Sequence, residues 1–204
     1  MAGPQRHKAY LLVEGHGEVE AAGNLIARLS RDVGFLVPWR HPLRWKNLDR
    51  WEGGRRGRGG VRQAAEWVRT RTDAAALLIL RDEDDGCPRE IAPAFAGRLR
   101  TLSLPFPTAY VLLHPEYEVL FLPCLDRLGL PPWNAGWEAR RGVKEWLSRQ
   151  LPAGKSYKPT IQQLEWTRKL DLETVRTAGV PCFGTLERAL RFLGRAGAGE
   201  VYPE

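Results

Sequence analysis

Cysteine is scarce in this chain and poorly placed for structural chemistry. Cys87, Cys124 and Cys182 are odd in number and lie far apart, which provides neither a disulfide framework nor a zinc site. Such usage suits a reducing compartment, and a cytoplasmic location is expected. Long apolar runs are missing too. Nothing approaches the roughly 18–20 residues that a membrane helix needs, and the apolar run in "MAGPQRHKAYLLVEG" is too short for a signal peptide. Several signature loops are also absent. The sequence has no Walker-A loop and no Gly-x-Ser-x-Gly elbow. In "GHGEVEAAG" the spacing of Gly15, Gly17 and Gly23 misses the dinucleotide-binding fingerprint, and acids at that strand end would repel a pyrophosphate.

What is present is a chain of 204 residues with 43% apolar content and eight Trp. That suffices for one domain with a full core, or one domain with a small appendage, and it excludes disorder. The net charge of +7 is clustered. "RWEGGRRGRGGVR" (50–62) carries five Arg, and "EARRGVKEWLSRQ" (138–150) adds more. Two readings of this excess stand. One is a surface for polyanions such as nucleic acid, with Arg55, Arg56, Arg58 and Arg62 as its contacts. The other is a solvated Arg-rich surface set by genome composition.

The apolar pattern predicts alternating strands and helices. "AYLLV" (9–13) reads as a short buried strand. Val19, Ala22, Ile26, Leu29 and Val33 then mark one face of a helix, with Glu18 and Glu20 near its start, where the helix dipole favours anions. "FLVPWRHPLRW" reads as extended, and its prolines demote it to an edge strand or an irregular segment. After a Gly/Arg loop at 53–60, Val61, Ala64, Ala65 and Val68 give a second helix. "AAALLIL" (74–80) lacks alternation, as expected of a strand covered on both faces. Ile91, Phe95, Leu99 and Leu102 give a third helix, "TAYVLLH" (108–114) another strand, and "EYEVLFLPCLDRL" the start of a further helix. The fold class is therefore α/β, with a mostly parallel sheet flanked by helices. Residues 8–125 form the core, and 126–204 a C-terminal helical extension packed on it, without a convincing strand.

Three acidic clusters share one topological position, just past a buried strand. Glu14 and Glu18 follow the first strand, Asp82, Asp84 and Asp85 the second, and Glu116 and Glu118 the third. In a parallel sheet the carboxyl ends of the strands face one edge, where ligands bind. Seven acids gathered there repel one another without a cation, and hard divalent ions take oxygen ligands. A Mg²⁺ or Mn²⁺ site is therefore expected. Each acid also has a purely structural reading: Glu18 as a first-turn carboxylate, Asp84 or Asp85 as a helix cap. Glu83, Asp85 and Glu20 are expected to face solvent. His16 and His114 flank the clusters. Lys155 and Lys158 in "GKSYKPT" lie in a polar loop, where a lysine can neutralise charge on a transferred phosphate. Trp133, Trp137 and Trp146 are at helical spacing and read as core or interface residues rather than base-stacking platforms.

With these clusters in place, the chain resembles the Toprim catalytic domain shared by topoisomerases, primases and OLD-type nucleases. In that domain a Glu ends the first strand and an Asp-x-Asp pair ends a later one. Glu14 in "VEGHGE" and Asp82-Glu83-Asp84 match those motifs. The ordered set "LLVEGHGEVEAA", "RDEDDGCP", "HPEYEVLFL" and "SYKPT" further resembles an uncharacterised bacterial family (domain of unknown function 4276) that is thought to be Toprim-like and is met in mobile-element and defence settings. The likeness runs from about residue 8 to 195. Near relatives carry a basic residue where His114 or Pro115 stands, and a Trp where Leu120 stands. The resemblance implies metal-dependent phosphodiester hydrolysis. Asp82 and Asp84 would hold Mg²⁺ or Mn²⁺, and Glu14 would act as ligand or general acid/base. Glu18 and Glu116 would complete a second metal site, and Lys158 would stabilise the transition state. No Tyr stands where a topoisomerase nucleophile would, which favours cleavage of nucleic acid over strand passage. The alternative is a non-catalytic Toprim-like subunit that binds nucleic acid or a separate ATPase. The sequence leaves a homodimer open.

Overall fold

A computed structural model of the chain describes residues 7–54, 58–133, 136 and 141–204. Among these residues, five parallel strands form one sheet: β1 (Lys8–Val13), β2 (Leu43–Arg44), β3 (Ala74–Asp82), β4 (Thr108–Leu113) and β5 (Val201–Tyr202), in the order β2-β1-β3-β4-β5. The fold class is α/β, as the alternating pattern predicts.

Register and pleat together sort the strand residues into two cores. Val13, Leu80 and Val111 sit side by side on one face, and Leu12, Ile79 and Tyr110 on the other. Both faces are apolar because helices cover both, which is why β3 shows no alternation. The first face carries α1 (Glu18–Val33) and α7 (Pro181–Leu193), and the second carries α2 (Val61–Arg69) and α3 (Pro88–Arg100). Ala21, Ala22, Leu25, Ile26 and Leu29 of α1 are fully buried at helical spacing. The helix stops at Gly34, which takes the left-handed conformation (φ 78°) and donates its N–H back to Arg31 O.

The chain runs outward from β1 to β2 over one face, and from β3 to β4 over the other. The sheet therefore reverses direction of growth between β1 and β3. At such a switch point the flanking helices part and leave a crevice beyond the strand ends. Glu14 directly follows β1, and Asp82 is the last residue of β3 rather than part of the loop beyond it.

Two segments differ from the sequence pattern. Residues Tyr117–Cys124 form a 3₁₀ helix rather than the start of an α-helix. Tyr117 to Leu122 are buried all round, and Pro123 cannot donate to an α-helical ladder. The C-terminal region is not wholly helical either. Besides α4 (Val143–Gln150), α5 (Leu164–Lys169), α6 (Leu172–Thr177) and α7, it supplies β5, two residues that pair with Thr108 and Ala109. Two residues are too short for a periodicity signal.

Arg28 on α1 ties this region down, donating to Thr167 O (2.8 Å) and Leu170 O (2.6 Å) at the end of α5. Just before α5, Pro159–Gln163 form one π-helical turn packed on the start of α1. Gly17 makes that approach feasible. A Cβ there would lie 2.6 Å from Gln163 Oε1 and 2.8 Å from the Pro159 carbonyl carbon. Gly17→Ala is therefore expected to destabilise by about 1–3 kcal/mol through overpacking, against about 2–5 kcal/mol for Leu78→Ala in the core. Urea unfolding of the two variants checks both figures.

Candidate active site at the carboxyl edge of the sheet

Asp82 is the centre of the site, with its side chain 17% exposed. Its Oδ1 accepts the Tyr117 main-chain N–H (2.8 Å), so the 3₁₀ turn after β4 is pinned to the end of β3. Its Oδ2 lies 3.3 Å from Lys144 Nζ. The same ammonium stands 3.0 Å from Glu116 Oε2 and 3.4 Å from Glu118 Oε2. Glu116 Oε1 also accepts the Lys144 main-chain N–H at 3.2 Å. Glu118 is fully buried, and its Oε1 accepts from Tyr157 Oη (2.9 Å) and Gln163 Nε2 (3.1 Å).

On the outer side of Asp82, a cleft of about 300 Å³ is lined by Glu14, Gly15, Glu18 and residues 81–85. Glu18 opens α1 and folds back so that Oε2 accepts the Gly15 N–H (3.2 Å). A Cβ at Gly15 would collide with the Glu18 carboxylate. Glu14 is half-buried, and the main-chain amides of Leu48 and Asn47 favour its charged form. Asp82 thus belongs to two carboxylate groups, one facing the cleft and one around Lys144.

Arg81 sets the shape of the loop. It is buried, donates to Tyr110 Oη (2.7 Å) and Asp82 O (2.6 Å), and pairs with Glu83. Tyr110 Oη in turn donates to Leu48 O (2.8 Å), which steadies the segment whose amides reach Glu14. Glu83 does not face solvent as expected. It turns inward to Arg81, and its Oε1 accepts the Gly86 N–H (2.8 Å). The loop geometry, not an isolated charge, decides its direction. Neither Asp84 nor Asp85 caps α3; Cys87 is the N-cap and makes no side-chain bond there. Asp85 is exposed and pairs with Arg141, and Asp84 is exposed at the cleft. Glu20 is exposed, as expected. His114 Nδ1 meets Glu83 O (2.6 Å), while His16 is exposed.

Lys158 is exposed, and it is Tyr157 from the same "SYKPT" stretch that reaches the carboxylates. Arg55 and Arg56 lie outside the described residues. Arg58 is exposed, and its carbonyl accepts Asn47 Nδ2 (3.1 Å). Arg62 pairs with Glu52 at 2.9 Å. Trp133 and Trp146 pack edge-to-face (4.4 Å) against the core, and Trp137 lies outside the described residues. Lys144 and Arg81 were not legible as site residues: a lysine on a short helix and an arginine at a strand end carry no motif of their own.

Burial dominates the titration of the acids. It raises Asp82 well above the usual carboxylate range, helped by Glu18 and Glu118, against the pull of Lys144. Burial likewise raises Glu14 and Glu18 and pushes Glu118 up to about 7. Burial works against the charge of Lys144, but Glu118, Asp82 and Glu116 outweigh it and hold its pKa above the ordinary lysine value. The donor set, all carboxylate oxygen, is that of a hard divalent cation. Glu118 Oε2 is buried without a hydrogen bond, facing the Lys144 ammonium. Among the described residues, no three His, Cys, Asp or Glu side chains stand ready to hold a metal ion.

An acid with a raised folded-state pKa favours the folded state below its unfolded value, and that contribution is lost as pH rises through the folded value. For Glu118 the window runs from 4.5 to about 7. Asp82, Glu14 and Glu18 share its sign, whereas the contribution of Lys144 persists until the pH passes the ordinary lysine value of 10.5. Chelator-treated protein is therefore expected to lose melting temperature between pH 5 and 7.5, and Glu118→Gln to flatten that slope. Thermal unfolding across this range checks it.

Among the described residues no helix is long and apolar enough to cross a membrane. No protein-family model, curated protein or solved structure matches the chain.

Proposed function

We propose that this chain is a Toprim-like, divalent-metal-dependent phosphodiester hydrolase acting on nucleic acid. One observation carries the reading: Glu14, Glu18 and Asp82 meet at the crevice where the parallel sheet reverses, and Asp82 is shared with Glu116 and Glu118 behind it. Ligands of open α/β sheets bind at that edge, and a divalent cation would relieve the repulsion among acids so crowded.

On this reading Asp82, Glu14 and Glu18 on the cleft side, and Asp82, Glu116 and Glu118 on the inner side, are the oxygen donors for Mg²⁺ or Mn²⁺, with Asp84 at the rim. The metal would supply Lewis acidity toward a phosphate oxygen. Glu14, half-buried with a raised pKa, is suited to take and return a proton at its carboxylate. Arg58, tied to Asn47 through its carbonyl, and the exposed Lys158 offer cations to the polyanion backbone. Arg62 contributes less, because Glu52 already pairs with it. A mobile-element or defence role and a separate ATPase partner belong to the same proposal, supported by the motif resemblance alone, and a cytoplasmic setting joins it on the three free cysteines.

A second reading is favoured by a different observation: Lys144 already neutralises part of the inner acid group. That is the state expected of a non-catalytic subunit that binds nucleic acid or a partner ATPase and keeps the acids for its fold.

Purified protein incubated with plasmid and RNA in Mn²⁺ separates the two. The hydrolase reading expects cleavage that Asp82→Asn lowers at least about 100-fold, as loss of a metal ligand should exceed second-shell effects. Equal inertness of both proteins, with nucleic acid still retarded on a gel, supports the second reading and overturns the first.

A further inference from the structure

We propose that Lys144 is an exchangeable internal counter-ion, holding the inner carboxylates until a divalent cation displaces it; this rests on the metal-dependent reading above. Its ammonium sits among three carboxylates, 3.0 Å from Glu116, 3.3 Å from Asp82 and 3.4 Å from Glu118. The same three carboxylates would be the oxygen donors to Mg²⁺ or Mn²⁺. An ammonium and a divalent ion repel, so they cannot share that point. Binding of the metal and departure of Lys144 are then one event.

Two features suit Lys144 to exchange rather than to permanent pairing. First, its compensation is incomplete. One positive charge faces three carboxylates, and Glu118, fully buried, has an Oε2 without a hydrogen bond. That oxygen is aimed at the ammonium at a distance where only Coulomb attraction acts, and a doubly charged ion satisfies it better. Second, Lys144 has somewhere to go. Its side chain is 34% exposed, and its flexible four-carbon stem allows the head to swing into water. Its helix need not move, because α4 is anchored independently by buried Val143 and Leu147 and by the Lys144 main-chain N–H on Glu116 Oε1. Tyr157 and Gln163 stay on Glu118 Oε1 throughout and keep that carboxylate in place. Arg81 contrasts with it: at 5% exposure and bonded to Tyr110, Asp82 and Glu83, it has no such exit.

Two measurements on the full chain test the exchange. Calorimetric titration with MnCl₂ is expected to show at least tenfold tighter binding to Lys144→Met than to wild type, because no resident cation has to leave. Amine acylation of wild-type protein, mapped by mass spectrometry, is expected to modify Lys144 at least fivefold faster at saturating Mn²⁺, with exposed Lys155 and Lys158 unchanged as internal references. The second measurement needs no variant, so it stands if Lys144→Met fails to fold. Mn²⁺ binding to wild type with unchanged Lys144 reactivity, or equal or weaker binding to the variant, overturns the exchange and leaves the metal reading intact. Absence of Mn²⁺ binding by both proteins overturns the exchange and the metal reading together.

Discussion

The need of buried carboxylates for a cation organises much of this protein. Asp82 ends the central strand β3, Glu116 and Glu118 stand beside it at 5% and 0% exposure, and one ammonium lies between all three. Leaving a buried charge unpaired costs about 3–5 kcal/mol, a large share of the total stability of a domain. The groups that meet this need come from far along the chain: Lys144 from α4, Tyr157 from the stretch after it, and Gln163 from the π-helical turn. The C-terminal region is thus bound to the sheet by polar necessity as well as by the apolar packing of α7 on β4.

A second buried cation shapes the outer half of the site. Arg81 lies on the opposite face of β3 from Asp82, because neighbouring residues on a strand point opposite ways. From there it gathers Glu83, Tyr110 and the Asp82 carbonyl, and through Tyr110 it steadies the Leu48 segment. The amides of Asn47 and Leu48 reach Glu14, while Asn47 holds the Gly/Arg loop by the Arg58 carbonyl. One arginine therefore relates the floor of the cleft to the Asn47–Leu48 segment. Asp82 and Arg81, side by side in sequence, serve the two faces of one site.

Much of this was legible from residues alone. "AYLLV", "AAALLIL" and "TAYVLLH" announce buried parallel strands, and the acids that accompany each one mark the carboxyl edge of the sheet. Where the reading departed from the structure, the cause lies in neighbours rather than in local pattern. Glu83 turns inward because Arg81 waits beneath it. Tyr117–Cys124 tightens to a 3₁₀ helix because it is buried all round and carries Pro123. β5 exists only because Thr108 and Ala109 leave an edge for Val201 and Tyr202 to pair with.

Local sequence by itself determined the core strands β1, β3 and β4 and the helices α1, α2 and α3 between them, since apolar periodicity and strand length depend on residues a few positions apart. It also determined that Glu14, Asp82 and Glu116 stand at or just beyond the ends of the core strands β1, β3 and β4. Tertiary structure alone decided which cation sits among the acids. Lys144 is separated from Asp82 by 62 positions, and nothing in its immediate neighbourhood distinguishes it from an ordinary surface lysine. Electrostatic pairing acts through space and has no period along the chain, so Lys144 acquires its role only when α4 closes over the end of the sheet.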